Sequence, residues 1–138
     1  MAHVTTSAIY EGDLKCVATH PDSDATLRTA APVDNNGDGS SFSPTDLVGV
    51  ALATCMLTTM GIVAARDGLS IEGVRAETDK HMVADPKRRI GRLDVRFTLP
   101  AGLDEDALAK LKRVAEACPV KQTLDPRTEV NITWASEP

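Results

Sequence analysis

Few residues in this chain could do covalent chemistry, and three of them are cysteines: Cys16, Cys55 and Cys118. An odd number at wide spacing, with no C-x-x-C, fits neither a disulfide framework nor a zinc site. In a reducing compartment each thiol is either a small apolar packing residue or a nucleophile. Cys55 lies inside "LVGVALATCMLTTMGIVAA", about three helical turns from the helix start, too far for the N-terminal dipole to activate it. Packing accounts for such a cysteine; reactivity would require a cation, brought in by folding, that favours the thiolate. Cys118 precedes "PVKQTL", where it can cap a short helix. Unpaired N–H groups favour a thiolate there, with Lys121 near enough to add positive potential, so packing and reactivity stand level. Cys16, in "LKCVATH", reads as a strand residue packed on the same face as Leu14.

Other chemistry finds little support. His3, His20 and His81 are scattered, and none has a local pairing with a cysteine of the kind a cysteine protease needs. Nucleotide-binding glycine patterns are missing. The stretch "DNNGDGSSFSPTDL", residues 34–47, carries Asp34, Asn36, Asp38 and Gly39 in the order of a calcium loop. Its twelfth position, however, is Thr45 where calcium needs a bidentate glutamate, and strands precede it in place of a helix. It reads as a polar turn segment. No metal and no cofactor are expected.

The elements that must position these residues follow from periodicity. "HVTTSAIYEGDLKCVATH" gives two strands around a Glu11-Gly12-Asp13 turn, and "ATLRTAAPV" can extend the sheet. Ser43, Pro44 and Asp46 supply an N-cap, a proline at the first helical position and an acidic residue near the capping-box position. The helix runs to Arg66-Asp67-Gly68, with Gly68 as the residue that closes it. Apolar or small on every side, it must be surrounded by protein, which an intertwined homodimer achieves better than a lone chain. "IEGVRAETDKHMVA" and "RRIGRLDVRFTLP" predict a strand hairpin through "DPKR". "LDEDALAKLKRVAEAC" is an amphipathic helix with Leu108, Leu111, Val114 and Ala115 on one face, and "TEVNITWAS" a final strand.

The whole is one α+β domain over residues 1–138. At 42% hydrophobic residues and 25% charged it has the composition of a globular protein. A net charge of −5 argues against nucleic acid or an anionic membrane as partner. The first residues lack the basic and apolar regions of a signal peptide, and no apolar run is read as a membrane span, so the expected location is cytoplasmic.

Three stretches, "YEGDLK", "FSPTDLVGVALATC" and "ACPVKQTL", resemble the family of osmotically inducible protein C and organic hydroperoxide resistance proteins, the OsmC/Ohr family. "LRTAAPVDNNGDGSSFSPTDL" is similar to the loop of its broader OsmC-like branch. The resemblance implies antiparallel sheets wrapped around a buried central helix, an intertwined homodimer, and active sites at its interface. It implies a thiol-dependent peroxidase in which Cys55 attacks organic hydroperoxides, or hydrogen peroxide, and Cys118 resolves the sulfenic acid as a disulfide. A dithiol reductant, small or a lipoyl- or thioredoxin-like protein, would restore the thiols. The family's activating arginine corresponds to Arg28, the only arginine before Cys55. The glutamate that holds this arginine corresponds to Thr45, a departure from the family pattern, with Asp46 as a substitute carboxylate. Leu52, Met56 and Met60 near Cys55 would favour organic substrates, although core packing explains them equally. The alternative is a non-catalytic dimer that senses oxidant or binds an apolar ligand.

Overall fold

The computed structural model describes residues 3–138, which divide into two compact units between Leu47 and Val48, inside the first α-helix. In the amino-terminal unit, β1 (Ser7–Gly12), β2 (Lys15–His20) and β3 (Ala25–Ala30) form an antiparallel sheet in the order β1-β2-β3. The predicted hairpin is present, with Asp13 and Leu14 at positive φ (54° and 60°). Leu14 therefore belongs to the turn, half exposed, and does not share a strand face with Cys16. Cys16 pairs across to Tyr10 on one side and Thr29 on the other.

The polar loop that follows is folded back on its own unit. A single 3-10 turn at Val33–Asn35 ends at Asn36 in the left-handed region, and the Gly37 N–H bonds the Pro32 carbonyl at 2.9 Å. A Cβ on Gly37 would lie 1.8 Å from the Ala31 carbonyl oxygen, so no side chain fits there. Asp38, once a calcium-ligand candidate, pairs with Lys15 at 3.0 Å.

The long helix α1 spans Pro44–Arg66. Its start is a reciprocal capping box: Asp46 N–H donates to Ser43 Oγ (3.0 Å) and Ser43 N–H donates to Asp46 Oδ2 (2.8 Å). Its end is equally defined. Gly68 takes φ +71°, Leu69 N–H reaches back to the Ala64 carbonyl at 2.8 Å and Gly68 N–H to that of Ala65 at 3.3 Å, the pattern of a Schellman close.

The carboxy-terminal unit wraps part of α1. β4 (Arg75–Val83), β5 (Arg89–Leu99) and β6 (Glu129–Ser136) form its sheet, with α2 (Glu105–Glu116) and α3 (Pro119–Leu124) between the last two strands. The β4–β5 hairpin is antiparallel, with a bulge opposite His81 and Met82 that leaves Gly91 unpaired. This extra residue is why Ile90 and Leu93, three apart, both contribute to the core. A Cβ on Gly91 would meet the Val83 side chain at 2.6 Å. The β5–β6 pair is parallel, which corrects the expectation of purely antiparallel sheets. Parallel strands need a long crossover, and α2 with α3 provides it.

Leu93, Val95, Phe97 and Leu99 of β5 point inward and are buried, facing Leu52, Met56, Met60 and Val63 of α1 and Leu111 and Ala115 of α2 in one core. Phe97 stacks on Trp134 of β6 with centroids 4.6 Å apart, a pair worth about 0.5–1.5 kcal/mol beyond its buried area. Gly49 lets α1 approach the sheet: a Cβ there would lie 3.3 Å from Thr78 Cγ2. The outer face of the sheet is charged, with Asp94 receiving His81, Arg92 and Asn131, and Arg96 paired to Asp79.

Burial of α1 differs from the sequence expectation. In a single chain one face is in the core, whereas Val50, Ala51, Thr54, Thr58 and Ile62 are exposed. By length and composition α1 also meets the requirement for a membrane span, with an 18-residue window of mean hydropathy 2.1, contrary to the reading of the sequence. Core helices pass the same test, and α1 has the seven buried residues of one.

Candidate active site

Cys55 sits where the two faces of α1 meet. It touches the core cluster from one side and on the other lines an open depression of about 430 Å³. Residues spaced three and four apart share a helix face, so Ala51, Thr54, Thr58, Thr59 and Ile62 surround it, and Pro119 of α3 completes the lining. All these linings are small or aliphatic, and none is charged. Thr54 Oγ1 donates to the Val50 carbonyl at 2.7 Å, and Thr59 Oγ1 to the Cys55 carbonyl at 2.9 Å.

The crossover delivers Cys118 to this spot. Leu111 and Ala115 anchor α2 in the core, and proline at 119 ends the run, so that Cys118 becomes the N-cap of α3. The Lys121 N–H donates to Cys118 Sγ at 3.4 Å, as the capping position requires. The thiol itself is fully buried and lies close enough to the Cys55 thiol for the two to interact. Burial pushes the Cys118 thiol above its ordinary value of 9.0; the Lys121 N–H opposes this, and the Cys55 sulfur adds to it. Desolvation thus outweighs the cap, and Cys118 is held as a neutral thiol. The Lys121 ammonium does not supply the expected potential, because it is engaged by Glu116 (3.4 Å) and Asp125 (3.5 Å).

Arg28 belongs to the amino-terminal unit. It stands on β3 and lines a hollow of about 350 Å³ with Lys15, Thr29, Ala30, Ser40 and Ser41. Its guanidinium is paired with Glu11 on β1, and Ser41 Oγ donates to its backbone carbonyl at 3.1 Å. Lys15 is held in turn by Asp38, whose carboxyl is lowered to about 2 by the Ser40 hydrogen bonds and by Lys15. The sequence placed Glu11 in a turn and gave it no role at the site, whereas it stands on β1. It lies in "YEGDLK", and only strand pairing shows that β1 and β3 flank β2 closely enough for this contact.

Thr45 Oγ1 shares a 3.1 Å hydrogen bond with Ser43 Oγ, and Asp46 serves the capping box. Leu52, Met56 and Met60 correct the expectation of an apolar substrate wall near Cys55. All three are fully buried in the core, on the side of α1 turned from the depression, because their spacing follows the stripe that meets the sheet. The residues that do line it, three threonines among them, carried no strong signal in a helix that read as uniformly apolar. His20 bonds Ser23 (2.7 Å) and His81 bonds Asp94 (3.0 Å).

A family model described as OsmC-like protein matches residues 37–133. No curated protein matches significantly. Among solved structures, a Psychrobacter arcticus protein named for osmotic stress induction and a detoxification response is 37% identical, with a TM-score of 0.89 and 97% of each chain covered. An organic hydroperoxide resistance protein OsmC from Legionella pneumophila has 22% identity and a TM-score of 0.76, over 98% of this chain and 99% of that one. The organic hydroperoxide resistance protein OhrB of Bacillus subtilis has 18% identity and a TM-score of 0.70, over 96% and 98%. The last two share the fold. Together with a pair of thiols brought near each other from α1 and α3, the family match and the Psychrobacter relative establish that this chain belongs to the OsmC/Ohr family.

Proposed function

We propose that the protein is a thiol-dependent peroxidase that reduces organic hydroperoxides. The observation that carries this reading is the proximity of the Cys55 and Cys118 thiols, one bordering an open depression and the other buried. In the proposed cycle the Cys55 thiolate attacks the terminal peroxide oxygen, and the O–O bond breaks. The alkoxide leaves with the bonding pair and takes up a proton as the alcohol, while Cys55 becomes a sulfenic acid. The Cys118 thiol then attacks that sulfur, forming the disulfide and releasing water. An external dithiol returns the two electrons through exchange. Keeping Cys118 neutral in the resting state suits this order of events, since two adjacent thiols do not both ionise readily.

Arg28 is the proposed cation for the Cys55 thiolate, with Glu11 in the orienting role that relatives give to a glutamate at the Thr45 position. The exposed face of α1 is the proposed contact between two copies of the chain, which would complete the surroundings of each depression. A reducing, cytoplasmic setting fits the free thiols. The test is to treat reduced protein with tert-butyl hydroperoxide, map its disulfides, and follow peroxide loss with dithiothreitol as reductant. The absence of both a Cys55–Cys118 disulfide and peroxide loss would refute the reading. Thr45 favours a second reading, an oxidant sensor, in which the disulfide forms once without sustained turnover.

A further inference from the structure

Of the three threonines beside Cys55, one differs in how its hydroxyl is used. In a helix threonine divides between two χ1 rotamers because one of them lets Oγ1 bond a carbonyl one turn back. Thr54 adopts this arrangement toward Val50 and Ala51, and Thr59 toward Cys55. The structure gives no such back-bond to Thr58, although it is exposed and lines the same depression as Cys55. Thr58 lies three residues after Cys55, on the same helix face, and helical side chains lean toward the N-terminus. Its side chain therefore leans over the turn that presents the Cys55 sulfur. The other linings offer a reacting peroxide only methyl and methylene groups, or hydroxyls already committed to the backbone.

We propose that Thr58 is the hydrogen-bond donor to the hydroperoxide in this depression, its hydroxyl contacting the oxygen on which negative charge develops as the O–O bond breaks. The apolar part of the lining, Ala51 and Pro119, receives the organic group. Charge appears on that oxygen only as the bond breaks, so the contact strengthens in the transition state and acts on rate. The proposal rests on the peroxidase reading, and its test separates the two.

The experiment compares wild type, Thr58→Val and Thr58→Ser in two single-turnover reactions of Cys55. One is sulfenic acid formation with tert-butyl hydroperoxide; the other is alkylation by iodoacetamide, which needs the thiolate but no peroxide donor. Valine preserves the shape and removes the hydroxyl. Thr58→Val is expected to slow the peroxide reaction about tenfold to a hundredfold, the range of one charge-assisted hydrogen bond, with alkylation unchanged. Thr58→Ser restores the peroxide rate. An unaffected Thr58→Val rate, or equal slowing of both reactions, overturns the role given to Thr58. A wild type that alkylates normally and ignores peroxide refutes the peroxidase reading itself, and Thr58's role with it.

Discussion

The buried thiol of Cys118, at the cap of α3, lies close to the thiol of Cys55 in the middle of α1, although β4, β5 and α2 separate those two helices along the chain. Core packing of α2 and the turn at Pro119 hold the two sulfurs together. Replacing Cys118 with Ser should therefore leave Cys55 able to react but unable to close a disulfide. One equivalent of organic hydroperoxide should leave a persistent sulfenic acid on Cys55 of that variant, trapped by dimedone and located by mass spectrometry. Cys55→Ser should give neither product.

The raised pKa of Cys118 makes stability depend on alkaline pH. A thiol whose folded value lies above its unfolded one contributes stability that is full below the unfolded value, near 9.0, and is lost as pH rises through the higher folded value. Urea denaturation from neutral pH to beyond 9 should show a decline that is shallower in Cys118→Ala. Parallel declines would mean that the thiol does not titrate in this way.

Glu11 and Arg28 form an exposed ion pair, so its value to stability is small. Its proposed value is orientation. Glu11→Gln should leave the melting temperature nearly unchanged yet slow the reaction of Cys55 with peroxide by about tenfold, the loss expected for about 1.4 kcal/mol. Arg28→Ala should slow it further. Rates equal to wild type in both variants would assign thiolate activation to another cation.

Ile62, 62% exposed on the open face of α1, should be covered in a symmetric dimer. Ile62→Lys should then shift the protein toward monomer in light scattering, since each subunit loses about 1.5–3 kcal/mol of apolar burial. A wild type that is monomeric at micromolar concentration would contradict the proposed assembly.

At Gly49 the helix meets the sheet with little room, since a Cβ added there would lie 3.3 Å from Thr78 Cγ2. Gly49→Val adds two further methyl groups to that contact. It should destabilise the fold by about 1–3 kcal/mol, measured by chemical denaturation, despite the better helix propensity of valine over glycine.

The elements themselves were legible from local chemistry. Ser43, Pro44 and Asp46 marked the start of α1 and Gly68 its end, because capping bonds are made within a few residues of chain. Alternation in β5 and the apolar face of α2 identified the core, and Pro119 placed Cys118 at a cap. Both candidate cysteines could thus be named from the sequence. The residues around them could not. A helix apolar on all sides has no pattern that tells which stripe the sheet will cover, so Leu52, Met56 and Met60 could not be separated from Ala51, Thr58 and Ile62. Contacts between distant segments, Glu11 with Arg28 and Cys118 with Cys55, depend on strand order and on the parallel return of β6. Likewise the balance that keeps Cys118 protonated is a matter of burial. Desolvation is a property of everything packed around a group, and only the folded chain determines it.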